Sequence, residues 1–298
     1  MQRLRYAFRF IKASFSKLSS NRRQLQIWLG FALGGGAIFA IALIPLGVII
    51  RYLGLSPLGL ALIGLIAAAV FLGSVLWGNV NALETSQIFY QEIQPNDIVP
   101  SLALTARVRQ KHWKDAALWL LAKPSLQLAY RRAQFFQGQV KNQPVWLDAY
   151  HLILPLIAVE DLSFIQAIQR SKEIHEDKLV RFRSDLVGVR MVGAVLQWFL
   201  VIGSAIIGVL VAFNIAYATT TGFRRRLLGM GLGLLIIGAA TLIGIGFKNF
   251  TEACYHTALY QWVRNVASAR QHGDKTLAHP PDILRQVFGV RHWIEKEN

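Results

Sequence analysis

The chain has 298 residues, 54% of them hydrophobic and 16% charged, an apolar excess larger than one ordinary water-soluble domain carries. Thirty-two Lys and Arg stand against 16 acids, a net charge of +16 that water, anionic lipid or an acidic partner must meet. A single cysteine, Cys254, excludes an intrachain disulfide and a CxxC-type zinc cage, and 24 glycines with 9 prolines exclude a collagen-like or Pro-rich chain.

Residues 1–26 open the chain with Leu4, Phe8, Ile11, Phe15 and Leu18 at helical spacing, and Arg3, Arg5, Arg9, Lys12 and Lys17 on the remaining surface. This pattern predicts a basic amphipathic helix in the headgroup layer, with anionic membrane lipid as its partner. A topogenic anchor without lipid selectivity satisfies the same pattern.

A hydrocarbon core about 30 Å thick takes roughly 20 apolar residues of helix. Four stretches qualify, near 27–50, 57–80, 191–217 and 227–247, none with Asp, Glu, Lys or Arg in its interior. They predict an all-α integral membrane protein with about four transmembrane helices, arranged as hairpins over 27–80 and 191–250. Missing mid-span charge argues against ion-coupled transport and leaves a path for neutral solutes open. Small residues at Gly30 and Gly34, Ser204 and Gly208, Gly229 and Gly233, and Ala240 and Gly244 predict close helix packing, within the chain or across a homo-oligomer seam. Gly34-Gly35-Gly36 is the expected place for a bend.

If both termini and residues 81–190 are cytoplasmic, 28 of the 32 cations share that side. The expected location is therefore the bacterial inner membrane, multi-pass, with both termini inside. Arg224-Arg225-Arg226 conflicts with that scheme, falling in the outer turn. The apolar run after Asn21 is too long for a cleavable signal and reads as an uncleaved insertion signal.

Residues 81–190 predict a basic, helical cytoplasmic insertion between helices two and three. Pro95, Pro100, Pro124 and Pro144 punctuate it. Trp113, Trp119 and neighbouring apolar residues alternate with Lys111, Lys114 and Lys123. That mixture suits stacking on nucleic-acid bases, but beside four spans the membrane interface is favoured and nucleic acid disfavoured. The apolar run 152–159 is too short to span, so it reads as re-entrant or buried, bent at Pro155. Asp161 or Ser163 is positioned to cap the helix that follows. Glu160 and Arg170 lie about two turns apart there, close enough to pair.

Here the chain resembles an uncharacterised family of bacterial polytopic membrane proteins, itself similar in pattern to the membrane domain of glycerophosphodiester phosphodiesterases. Pro155, then Glu160-Asp161, then Ala167-Ile168-Gln169-Arg170-Ser171 match its Pro-x4-Glu and Ala-x-x-Arg-Ser elements. The likeness includes the basic helix over 10–23, Asn81-Ala82-Leu83 after span two, and Ala258-Leu259-Tyr260 after span four. It reaches nearly to Arg270 and implies an all-helical membrane fold with no assigned reaction. The strongly basic central segment and the tail depart from the pattern, which puts a shared ligand in doubt.

Glu252 and His256 share a helix face but lack a third ligand, and they read as polar residues where span four meets water. Glu173, His175, Glu176 and Asp177 form an acidic knot, paired in solvent or holding a divalent cation. No Walker loop, nucleophile elbow, His-Glu-x-x-His or dinucleotide fingerprint is present. Neither catalytic residues nor a cofactor or metal is predicted. In the tail, Asp282 is expected to cap a short helix carrying Leu284, Val287 and Phe288, with Trp293 and Ile294 beyond. It would dock on the cytoplasmic segment, lie on the membrane or bind an unknown protein partner. The function expected is that of a non-enzymatic membrane protein acting through anionic lipid and protein contacts. The alternative is a permease-like or lipid-handling protein for a neutral or zwitterionic substrate.

Overall fold

A computed structural model describes residues 2–20, 22–54, 56–93, 102–135, 150–176, 188–217, 223–273 and 280–288. These residues are helical with no strand among them: α1 (Gln2–Ser20), α2 (Arg22–Leu53), α3 (Pro57–Ile93), α4 (Leu102–Phe135), α5 (Ile153–Glu160), α6 (Phe164–Glu176), α7 (Val189–Tyr217), α8 (Phe223–His272) and α9 (Asp282–Phe288). Four stretches, Leu29–Leu53, Pro57–Ile93, Val189–Ile215 and Gly231–His272, are long and apolar enough to cross a membrane. The chain divides into two compact units. Unit 1 comprises residues 1–27, 79–192 and 249–298, and unit 2 comprises 28–78 and 193–248.

Unit 2 packs its helices through glycine. A Cβ added at Gly208 would stand 2.7 Å from both the Gly233 carbonyl and Ile237, and one at Gly229 would stand 2.9 Å from the Ala212 carbonyl. The small residues of α7 and α8 therefore bring two backbones of the same chain together. Gly34 lies under the indole of Trp77, whose Nε1 donates to the Phe31 carbonyl at 3.2 Å. α2 continues unbroken through Gly34–Gly36, so the triplet makes room for a neighbour where a bend was expected. Polar side chains close onto their own helices. Ser204 donates to Val201, Asn214 to Leu210 and Thr241 to Ile237, at 2.9, 2.8 and 2.7 Å. Large apolar side chains point outward, with Leu33 73% and Phe199 74% exposed.

Unit 1 has the opposite grain. α5 is its centre: Ile153, Leu156 and Ile157 have no exposed surface, and the helix packs on α4 and α6. Pro155 is the third residue of α5, where a missing N–H costs nothing, so the chain does not bend there. The turn comes at Asp161, in the left-handed region at φ 57°, which aspartate tolerates better than most residues. It sends α6 off at 118° to α5.

Asp161 does not cap α6. The exposed N–H of Phe164 is accepted by Asp115 of α4 at 2.8 Å, while Ser163 donates through N–H and hydroxyl to Gln166 Oε1, each at 2.9 Å. The Ser163/Gln166 pair is half of a capping box, and its partner helix supplies the rest. Pro124 likewise fails to punctuate: α4 continues through it.

α1 is docked into unit 1 through Ile11 and Phe15 of the apolar stripe and a neighbouring face that the spacing did not single out. Ala7, Phe10, Ile11 and Ser14 are buried, whereas Leu4 and Phe8 are 40% and 55% exposed. Phe10 meets Tyr255 edge to face at 5.4 Å and Phe15 meets Phe250 at 5.9 Å. Those aromatic partners on α8 select the face around Phe10. Arg5, Arg9 and Lys12 remain exposed beside Leu4 and Phe8, while the side chains of Arg3, Lys17 and Leu18 lie outside the described residues. α9 packs against α1 and buries Ile283 and Leu284. The N–H groups of Leu284 and Arg285 donate to the Pro281 carbonyl, each at 2.9 Å, so Asp282 stands inside the helix as its first residue instead of capping it. The side chains of Val287 and Phe288, and Trp293 and Ile294 entirely, lie outside the described residues, as do Pro95, Pro100 and Pro144.

Candidate functional site

One small cavity in unit 1 gathers polar side chains from five places in the chain. α3 contributes Asn79, Ala82 and Ser86, and α8 contributes Asn249, Glu252, Ala253 and His256, each set at the spacing of a single helix face. α4 adds Trp119 and Lys123, the turn before α5 adds His151, α5 adds Leu154 and Pro155, and the first turn of α7 adds Arg190. The space open to the centres of water-sized atoms is about 30 Å³.

Arg190 is fixed by two partners: its Nη1 donates to the Tyr150 hydroxyl at 3.0 Å and lies 3.3 Å from His151 Nε2. His151 and His256 stack with centroids 5.0 Å apart and planes 15° from parallel. Burial first, then His256, Arg190 and Lys123, hold the His151 imidazole well below its ordinary pKa, so it is neutral at physiological pH. Lys123 lies over the Trp119 ring at 6.0 Å. Three atoms here lack hydrogen-bond partners although buried: Trp119 Nε1, Ser86 Oγ and Glu252 Oε1. Glu252 and His256, expected where the helix meets water, are each only 9% exposed. Protein, not solvent, surrounds them.

A second cluster lies where α5 turns into α6. Glu160 accepts a hydrogen bond from the Tyr260 hydroxyl and pairs with Arg170 at 3.4 Å, and Arg170 also binds Glu173 at 2.9 Å. The expected approach of Glu160 and Arg170 is present, with Tyr260 as an additional partner. Asp161 faces α4, pairing with Lys111 and with His112 Nε2 at 2.7 Å, while His112 Nδ1 meets Asp115 at 2.9 Å. The hydrogen bond from Lys111 holds the Asp161 carboxyl below its ordinary pKa, with His112 adding to the effect and partial burial opposing it. Ser171 is buried beneath this turn, and Pro155 alone among the expected residues also lines the cavity.

These groups are ion pairs and hydrogen bonds between helices, with no cluster of three metal-ligating side chains among the described residues. Of the acidic knot, Glu173 pairs with Arg170, whereas Asp177 and the side chains of His175 and Glu176 lie outside the described residues. Sequence spacing missed the cavity because its walls come from segments as far apart as Asn79 and His256. The available signal was the pair of small and polar helix faces following the second and fourth apolar runs. Comparison of the chain with family models, curated proteins and solved structures finds no match.

Proposed function

We propose that the chain is a non-enzymatic, multi-pass protein of the bacterial inner membrane, with both termini and unit 1 cytoplasmic, acting through anionic lipid and protein contacts. The observation that carries this reading is the outer surface of unit 2. Side chains such as Leu33, Ile41, Leu65, Phe71, Phe199 and Ile206 are all more than half exposed, a surface suited to hydrocarbon and costly in water. All but four of the cations, Arg51 and Arg224–Arg226, fall instead in residues 1–26, 81–190 and 248–298. Arg5, Arg9 and Lys12 beside exposed Leu4 and Phe8 give α1 the mixed surface that an anionic interface attracts. The sequence motifs around Pro155, Glu160 and Arg170 support membership of the family they resemble.

A permease-like reading asks for a polar space between the spans. Ser204, Asn214 and Thr241 bond to their own helices, which lends it no support. Homo-oligomerisation through glycine faces keeps only those glycines, such as Gly30 and Gly203, that have no neighbour within the chain.

The test is topological. Single cysteines at Ser56 and Thr221, in a Cys254→Ser background, should both react with an impermeant thiol reagent in intact cells, whereas one placed at Lys12 should react only after permeabilisation. Labelling at Ser56 without Thr221 would remove the second hairpin and return Arg224–Arg226 to the inner side.

A further inference from the structure

Arg190 joins the first turn of α7 to the turn before α5 through a single nitrogen. Its Nη1 donates to the Tyr150 hydroxyl at 3.0 Å and lies 3.3 Å from His151 Nε2, so both of its hydrogens are directed at the Tyr150–His151 pair. A guanidinium only donates, and it keeps its charge at any pH the protein meets. His151 Nε2 is therefore the acceptor, which puts the one N–H of the neutral ring on Nδ1. Neighbouring rings hold the imidazole in this orientation. It is 7% exposed, packed against the Tyr150 ring at 3.6 Å between centroids and stacked on the His256 ring at 5.0 Å.

We propose that Arg190 and His151 form an acid-released clasp. A proton on His151 Nε2 replaces the acceptor with a second donor, N–H then faces N–H, and the first turn of α7 parts from the turn before α5. The geometry alone dictates this sign, because no rotation of the guanidinium offers a lone pair.

The charges around the imidazole act in the same direction. Arg190 comes from α7, Lys123 from α4, and His256 with Glu252, one turn apart, from α8, all lining one cavity with His151. Glu252 is the one acid among those described residues, and Tyr150 is the titratable neighbour within the turn itself. Burial first, then His256, Arg190 and Lys123, keep the His151 pKa well below its ordinary value. The closed clasp thus holds no proton on Nε2, whereas the open one lets His151 titrate as an ordinary histidine. Opening takes up a proton, so the clasp is at full strength above about pH 6.5 and weakens as pH falls below it. For one proton, the opening constant rises by up to about 25-fold between pH 7 and pH 5. None of this depends on the membrane reading above.

The experiment follows hydrogen–deuterium exchange of the full chain in non-ionic detergent between pH 7 and pH 5, with rates corrected for the pH dependence of amide chemistry. Peptides covering residues 150–158 and 188–194 report on the two sides of the clasp. The second contains the Val192 N–H, bonded to the Gly188 carbonyl at 3.0 Å. In both, the opening constant should rise about tenfold or more on acidification. His151→Gln offers Arg190 a carbonyl oxygen that accepts and does not titrate, so it should keep its protection at pH 7 and lose most of the acid response. Arg190→Gln, whose amide can turn its oxygen toward an imidazolium, should make the response shallower, and it decides alone if His151→Gln does not fold. A wild-type opening constant that does not change with pH, or a response equally steep in both variants, overturns the proposal. A response kept in His151→Gln and lost in His256→Gln overturns it as well, since the proton would then belong to the stacked ring.

Discussion

Unit 1 has a core of large rings: Tyr150, Tyr255, Tyr260, Phe10 and Phe89 are all but fully buried, although Phe8 and Trp113 are about half exposed. In unit 2 the large side chains point outward, and the helices meet where there is no side chain at all, as at Gly208 and Gly233. Both units are built from the same helical backbone, and on the membrane reading proposed above the difference reflects the surroundings each surface suits. Water rewards burial of apolar area, and a helix bundle in water therefore fills its interior with rings. Hydrocarbon gives no such reward, and only close backbone approach and satisfied polar groups hold helices together. Unit 1 also buries imidazoles and carboxylates, whereas Ser204, Asn214 and Thr241 of unit 2 bond back to their own helices.

The contrast can be broken most directly in the core of unit 1. Phe10→Ala should cost about 3–5 kcal/mol through loss of buried ring contacts, while Phe199→Ala, which removes an outward ring in unit 2, should leave thermal unfolding in detergent nearly unchanged. Equal effects would show that the two units are packed by the same rule. Within unit 2 the sensitive positions should be glycines. Gly208→Ala forces a methyl against the Gly233 carbonyl and should cost about 1–3 kcal/mol, whereas Gly203→Ala meets nothing and should be neutral or slightly stabilising.

Smaller effects test the polar half of the comparison. Glu160→Gln and Arg170→Met should each lower the unfolding midpoint, and the double substitution should cost less than the two added, with a coupling of about 1 kcal/mol for a pair that is partly exposed. Additive losses would mean the pair does not interact. The smallest effect is a pH response. Because the folded Asp161 carboxyl has a depressed pKa, its contribution is present above the ordinary carboxylate value of about 4 and is lost as pH falls through the lower folded value. Asp161→Asn should therefore flatten the acid limb of the stability profile below about pH 4 and leave its neutral region parallel to wild type.

Much of the helical plan was legible because apolar runs without charge admit few alternatives. Span two was expected from Pro57, and α3 begins there. The spacing in α1 showed its apolar stripe but not the second buried face: Phe8 and Phe10 point to different faces, and Phe10 is covered by the distant Tyr255. Pro124 was misread because helix propensity is local, whereas α4 runs on through the proline from a stretch whose Ala116 and Trp119 are buried. At the site, the pairing of Glu160 with Arg170 followed from helical spacing, but Tyr260 lies 100 residues away and no spacing rule reaches it. Glu252 and His256 were noticed as a pair, yet a single helix face cannot reveal what lies opposite, here His151 and Arg190.

The contact between α1 and α9 sets an order of events during synthesis. α1 is made among the first 20 residues, but the surface that covers part of it ends at Phe288. At translation rates of roughly 5–20 residues per second, the first helix waits on the order of a quarter of a minute to a minute before its last neighbour exists. Until Tyr255 of α8 and then Ile283 and Leu284 of α9 have been made, the native cover of Ala7, Phe10 and Ile11 is incomplete. A nascent chain in this condition needs an early apolar surface or a chaperone as a temporary host, and arrest of translation before residue 282 should leave α1 open to proteolysis that the finished protein resists.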